Sequence, residues 1–201
     1  MHPGVLVAVL LMAATPHGAL AQSAIGVIGG LSRATFSGGG AVDVTRRTTF
    51  LVGAVAELPV NERFAIRPEL HFSAKGARVN TQAGDPADGP IKIFGLSYIQ
   101  MPVLAQLQTA GDSSARPRLF GGLSVGALLA CTFGSRDCAD IEEIDQRGLD
   151  FGAVAGVELA WQRLGLGARY ETGVRAVEAS TIGNEIYNGV VSFTVRYMFR
   201  G

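Results

Sequence analysis

From Phe64 to Lys75 the chain alternates without a break. Even positions read Phe64, Ile66, Pro68, Leu70, Phe72 and Ala74; odd positions read Ala65, Arg67, Glu69, His71, Ser73 and Lys75. A side-chain period of two belongs to a β-strand whose two faces meet different surroundings. Hydrophobic residues make up 48% of the chain and charged ones only 17%. Yet beyond the N-terminus no apolar run approaches the ~18 residues a membrane helix needs. Apolar content without apolar runs means alternation, and 27 glycines disfavour long helices.

Residues 1–21 read as a signal peptide. Val5 to Ala14 forms a short apolar stretch, and Ala19-Leu20-Ala21 fits a small-x-small cleavage pattern. The n-region carries His2 but no Lys or Arg, so a buried helix or a retained anchor is the alternative. Residues 22–201 then form one domain. Zero formal net charge gives no reason to expect a nucleic-acid partner.

Eight segments of the mature chain read as strands, opening at Ala24, Thr48, Phe64, Leu96, Arg118, Leu149, Leu164 and Asn188. The last sets Val191, Phe193, Val195, Tyr197 and Phe199 against Ser192, Thr194 and Arg196. The first is too rich in glycine to orient. Alternation fits a soluble lipocalin-type barrel as well as a membrane barrel. Three features favour the membrane. The links alternate between tight ("PVNER", "QR") and long (Thr35–Arg47, Arg78–Gly95, Thr132–Gly148, Arg175–Tyr187). Glycines crowd the polar faces, and Phe50, Phe64, Trp161, Tyr197 and Phe199 sit on apolar faces, as in interfacial girdles. Hydrocarbon cannot satisfy a sheet edge, so the sheet must close. The expected fold is all-β: an eight-stranded antiparallel up-and-down transmembrane barrel, with both termini periplasmic.

The row Phe64 to Phe72 should then meet lipid, and the charges should meet one another inside. The expected lumen network is Glu57, Arg67, Glu69, His71, Lys75, Arg118, Glu158, Arg169, Glu171 and Arg196. An eight-stranded barrel has room only for its own side chains, so unpaired charges there would be costly. Arg169 and Glu158 are one expected pair. Leu70→Arg should block insertion and Glu69→Gln should spare it.

The stretches "RPELHFSAKGARV" and "LSYIQMPVLAQL" resemble the PorT-like outer-membrane β-barrel family of bacteria, and the chain closes on Tyr197-Met198-Phe199 as such barrels do. The resemblance runs from Ala24 to Phe199. Gln100 and Gln106 depart from it, standing where the family often has Glu and Lys or Arg. It implies a small barrel of the OmpA and OmpX shape, mostly without established activity. The namesake's part in protein secretion is not carried over.

No phosphate loop, dinucleotide fingerprint or metalloprotease helix appears. His71 is the one histidine of the mature chain, with Glu69 and Ser73 beside it on the same face. Neighbours two apart on one strand lie about 7 Å apart, too far for direct hydrogen bonding. A lumen histidine, not a catalytic one, is therefore expected, and no enzyme. Cys131 and Cys138 are the only cysteines, and in an exported chain they read as a disulfide, with free buried thiols as the alternative. Two sulfurs without histidine do not make a zinc set, and the acidic run "DCADIEEID" has no calcium-loop spacing. No metal or cofactor is expected. The leading role is a monomeric structural or interaction barrel of the outer membrane, with lipid around it and an envelope or extracellular partner at its loops. A narrow pore for small solutes and a soluble exported binder are the alternatives.

Overall fold

The computed structural model describes residues 23–37, 44–80, 91–109, 114–134, 136–138, 148–174, 178–179 and 185–199. Ten strands follow in order: β1 (Ala24–Ser37), β2 (Val44–Pro59), β3 (Phe64–Asn80), β4 (Ile91–Gln108), β5 (Ala115–Phe133), β6 (Arg136–Asp137), β7 (Leu149–Trp161), β8 (Leu164–Gly173), β9 (Glu178–Ala179) and β10 (Glu185–Met198). β6 and β9 are two-residue additions on β5 and β10. The other eight pair antiparallel with their sequence neighbours, and β10 returns to β1 with Gly26 opposite Met198 and Ser37 opposite Tyr187. The expected closed eight-stranded barrel is what the chain forms, with no edge left along those staves.

The tight turns gather at the end where the described chain begins and finishes. Between β2 and β3 the Asn61 side chain accepts hydrogen bonds from the backbone N–H of Arg63 and Phe64, both at 2.9 Å. This local bond is why "PVNER" turns so sharply. Between β7 and β8 Gln162 takes φ 51°, an uncommon region for a residue with a side chain. Residues 38–43, 81–90 and 139–147, which make up much of three of the expected long links, lie outside the described residues, as does the expected signal peptide.

Several strands exceed the about ten residues that a tilted crossing needs. β3, β4 and β5 run 17, 18 and 19 residues. All four expected long links contain strand residues: Arg78 pairs Ile93, for example, and Ser37 still belongs to β1. Alternation reports which face is apolar, whereas ladder hydrogen bonds continue after the apolar band has ended. Gly76 marks that passage on β3. Its φ of 114° suits glycine alone, and a Cβ there would strike the Phe94 carbonyl.

Sidedness follows the sequence. Phe64, Ile66 and Leu70 are exposed on the outer wall, while Arg67, Glu69, His71 and Lys75 are buried. Phe64, Trp161, Tyr197 and Phe199 ring the short-turn end, with Tyr197 and Phe199 edge-on at 5.6 Å. Phe50 sits farther along, tilted against Phe72 at 5.7 Å. This is a soluble barrel turned inside out. The interior is not wholly polar, however. Ile28, Leu51, Val55 and Met198 pack together inside, as do Leu104, Phe120 and Val154. Leu51 and Val55 share the inward parity of Thr49 and Glu57, and Ile28 lies on the strand that the sequence left unoriented.

Candidate functional site

The inward row of β3 is the spine of the site. Arg67, Glu69, His71 and Lys75 stand one above another along it, each almost wholly buried. Facing strands supply the partners. Near the short-turn end, Glu57 accepts from Arg118 at 3.0 Å and from Arg196 at 2.8 Å. Arg196 also donates to both oxygens of Glu158, at 3.1 and 2.5 Å. Arg67 donates to Glu158 at 2.9 Å, and Arg118 lies 3.7 Å from the same carboxylate. Three guanidinium groups thus converge on Glu158. Gly165 makes the space, since a Cβ there would sit 2.7 Å from the Glu158 carboxyl carbon.

Arg67 carries the network onward, with its Nε 2.9 Å from Glu69 Oε1. Glu69 accepts from Arg169 at 2.6 Å, and Arg169 stands 3.6 Å from Glu171. Glu171 takes hydrogen bonds from Lys75 and Gln100, each at 2.7 Å, and a longer one of 3.4 Å from Ser124. Lys75 also donates to Asp150 at 2.9 Å. The chain of contacts therefore runs from Glu57 to Asp150 through the barrel. Arg67 lies 4.9 Å over the Phe120 ring and Lys75 5.2 Å over Tyr98, so aromatic faces complete the cations' surroundings.

All ten expected network residues meet in the lumen. Two details differ from the sequence reading. Arg169 and Glu158 do not pair: Arg169 goes to Glu69 and Glu171, and Glu158 to Arg67, Arg196 and Arg118. The ladder places Arg169 opposite Gly156, two residues from Glu158, whereas Arg118 stands directly opposite Glu158 and Arg67 and Arg196 reach it from strands farther round the barrel. Asp150 was also missed, although it shares the parity of Gly152 and Glu158 on β7. With it the network holds five acids (Glu57, Glu69, Asp150, Glu158, Glu171) and five bases (Arg67, Lys75, Arg118, Arg169, Arg196). Gln100 and Gln106, seen only as departures from a family pattern, face inward and bond into it.

His71 stands between Glu69 and Arg169. Its Nδ1 is 3.5 Å from Glu69 Oε2, and its Nε2 is 3.4 Å from Arg169 Nη2. The strand spacing put direct hydrogen bonding between these side chains out of reach, and the 3.5 Å separation is an electrostatic contact rather than a short hydrogen bond. A guanidinium has only hydrogens to offer. Nε2 therefore suits the accepting role, with the ring proton on Nδ1 toward Glu69.

Comparison with known proteins fits this geometry. The family described as outer membrane protein beta-barrel domain matches residues 20–177. The chain belongs to that family. Among solved structures it is similar to Neisserial surface protein A, at 17% identity and TM-score 0.53, covering 87% of this chain and 97% of that one. It is also similar to Ail of Yersinia pestis in complex with the heparin analogue sucrose octasulfate, at 11% identity, TM-score 0.52 and coverage of 89% and 99%. OprG of Pseudomonas aeruginosa shares 11% identity with TM-score 0.50, over 90% of this chain and 97% of that one. No curated protein matches the chain. Such identities speak for the fold; family and fold together place the barrel in the bacterial outer membrane.

At the long-link end Cys131 and Cys138 form the expected disulfide, with Cα atoms 5.4 Å apart. Both are buried against Leu96 and Tyr98. The acidic run that follows Cys138 lies in residues 139–147, outside the described residues. The β5–β6 hairpin, pairing Thr132 with Asp137 and Phe133 with Arg136, already holds the two cysteines close. A covalent bond closing a loop with a sequence separation of only 7 restrains little of the unfolded chain. A Cys131→Ser, Cys138→Ser variant is expected to keep the heat-modifiable folded band on a gel; loss of that band would show the bond to be essential.

Proposed function

We propose that this protein is a monomeric structural and interaction barrel of the bacterial outer membrane whose work is done by the long links, with no catalytic step and no cofactor. Both termini are periplasmic in this reading, so the long links face outside. Kinship with the PorT-like barrels, on "RPELHFSAKGARV" and "LSYIQMPVLAQL", belongs to the same proposal. The observation that carries it is the filled lumen. Arg67, Glu69, His71, Lys75, Gln100, Gln106 and Arg196 are among the most buried side chains of the molecule, and its charges are matched five to five. A water-filled pore would leave such side chains hydrated. Similar barrels named a surface protein and an attachment invasion locus protein accord with a role at the surface, while their low identity lends only their fold.

Planar-bilayer recording tests the reading. Purified protein is expected to give no stable, reproducible conductance step. A large and reproducible one would favour the narrow-pore alternative, because ions would then be passing the salt-bridged section.

A further inference from the structure

The two ends of the bore differ. At the short-turn end the network meets water: the Arg118 and Glu57 side chains are 14% and 15% exposed. A cavity of ≈380 Å³ opens there beside Glu57, Gln106 and Gln108. At the long-link end the last ion pairs, Lys75 with Glu171 and with Asp150, join side chains no more than 6% exposed. What covers them is apolar.

Ladder register builds the cover. Lys75 on β3 lies opposite Leu96 on β4, and Leu96 lies opposite Cys131 on β5. All three are buried on the inward face, so one row holds the network's last base and the cover beside it. Tyr98, the next inward residue on β4, sets its ring 5.2 Å from Lys75 Nζ. Cys138 is wholly buried and packs on Leu96, Tyr98 and Cys131, with Phe94 and Leu128 at the margin of the cluster. Phe94 in turn meets Phe133 edge-on at 6.0 Å.

Among the described residues, backbone pairing gives β6 little hold. The ladder between β5 and β7 ends at Ala127 and Leu149. Past that point β6 stands on β5 through two pairs, Thr132–Asp137 and Phe133–Arg136. A ribbon this short is marginal in water, and both β6 residues are exposed. Pairing brings Cys138 to Cys131; the covalent bond keeps it seated.

We propose that the Cys131–Cys138 disulfide locks an apolar stopper into the long-link end of the bore, leaving a charged pocket that opens to water only from the short-turn end. With the bond in place, Cys138 stays packed over Leu96 and Tyr98, and Tyr98 over Lys75. Without it, β6 comes away from β5 and water gains a path past Leu96 to Lys75. The barrel itself persists, because β6 lies off the closed path of its eight staves. The seal acts whichever side of the membrane the long links meet.

Lys75 is its own reporter, since Lys75 and Lys92 are the two lysines of the chain. The full protein, folded in neutral detergent, is treated with a small acylating reagent, and peptide mass spectrometry follows labelling at Lys75. The wild type is expected to label there slowly. The Cys131→Ser, Cys138→Ser variant should keep its folded gel band and acylate Lys75 roughly tenfold faster, as a local opening becomes easier. Amide hydrogen exchange at Arg67 and Glu69, toward the short-turn end, should stay as in the wild type. If the serine hydroxyls disturb assembly, the double alanine variant takes their place. Equal Lys75 labelling in wild type and variant would overturn the proposal. So would faster exchange at Arg67 and Glu69, which would mean a looser barrel rather than an opened end. Loss of the folded band in both variants would overturn it too, because the bond would then hold the barrel and not the stopper.

Discussion

Glu158→Gln is expected to lower the stability of the folded barrel by about 3–5 kcal/mol, the loss usual when one partner of a buried ion pair is removed. Arg67, Arg196 and Arg118 all face this carboxylate, and Arg67 and Arg196 have almost no access to water. Glutamine keeps the shape but leaves surplus positive charge that solvent does not screen. Glu57→Gln is the comparison. Glu57 also meets two arginines, but its side chain is 15% exposed, so its loss should cost markedly less. Urea titration of the lipid-reconstituted protein reads both. An equal midpoint shift in the two variants would mean that Glu158 does not organise the network. Adding Arg196→Met to Glu158→Gln should recover part of the loss, and the cycle measures their coupling.

Leu70→Arg is expected to cost roughly 2–4 kcal/mol, because it sets a charge near the bilayer midplane. Leu70 is 52% exposed on the outer wall, six residues beyond the start of β3 at Phe64. The same change at Val60, at the tip of the short turn, should alter stability by no more than about 0.5 kcal/mol. The yield of membrane-integrated, heat-modifiable protein checks both, and similar losses in the two would contradict the assigned facing. From the sequence, Glu69→Gln was expected to leave insertion intact. Its contacts with Arg169 and Arg67 add to that expectation: the variant should insert, yet unfold at lower urea. The two neighbours then fail differently, one at insertion and the other in the folded state.

Much of the site was legible because parity is a local property. In β3 every odd residue from Ala65 to Lys75 is buried, as its charge pattern required. In β7 the same reasoning would have included Asp150, had parity been followed past Gly152 to the strand's start. In β2 the inward Leu51 and Val55 were hidden because apolar residues on both faces blur alternation. β1 offered almost no contrast between faces, and its orientation came only from the ladders to β2 and β10.

The sequence by itself determined that the sheet closes and, on strands whose two faces contrast, which face meets lipid and which charges turn inward, since these follow from a period of two and from the cost of bare backbone in hydrocarbon. Only the tertiary structure decided who pairs with whom inside. Arg169 reaches Glu69 across 100 residues of chain, and Lys75 reaches Glu171 across 96. Those meetings depend on strand tilt and on the stagger of the ladders around the barrel, which set the height of each inward residue against those across the bore. No local pattern encodes that height, because it accumulates from every register around the closed sheet.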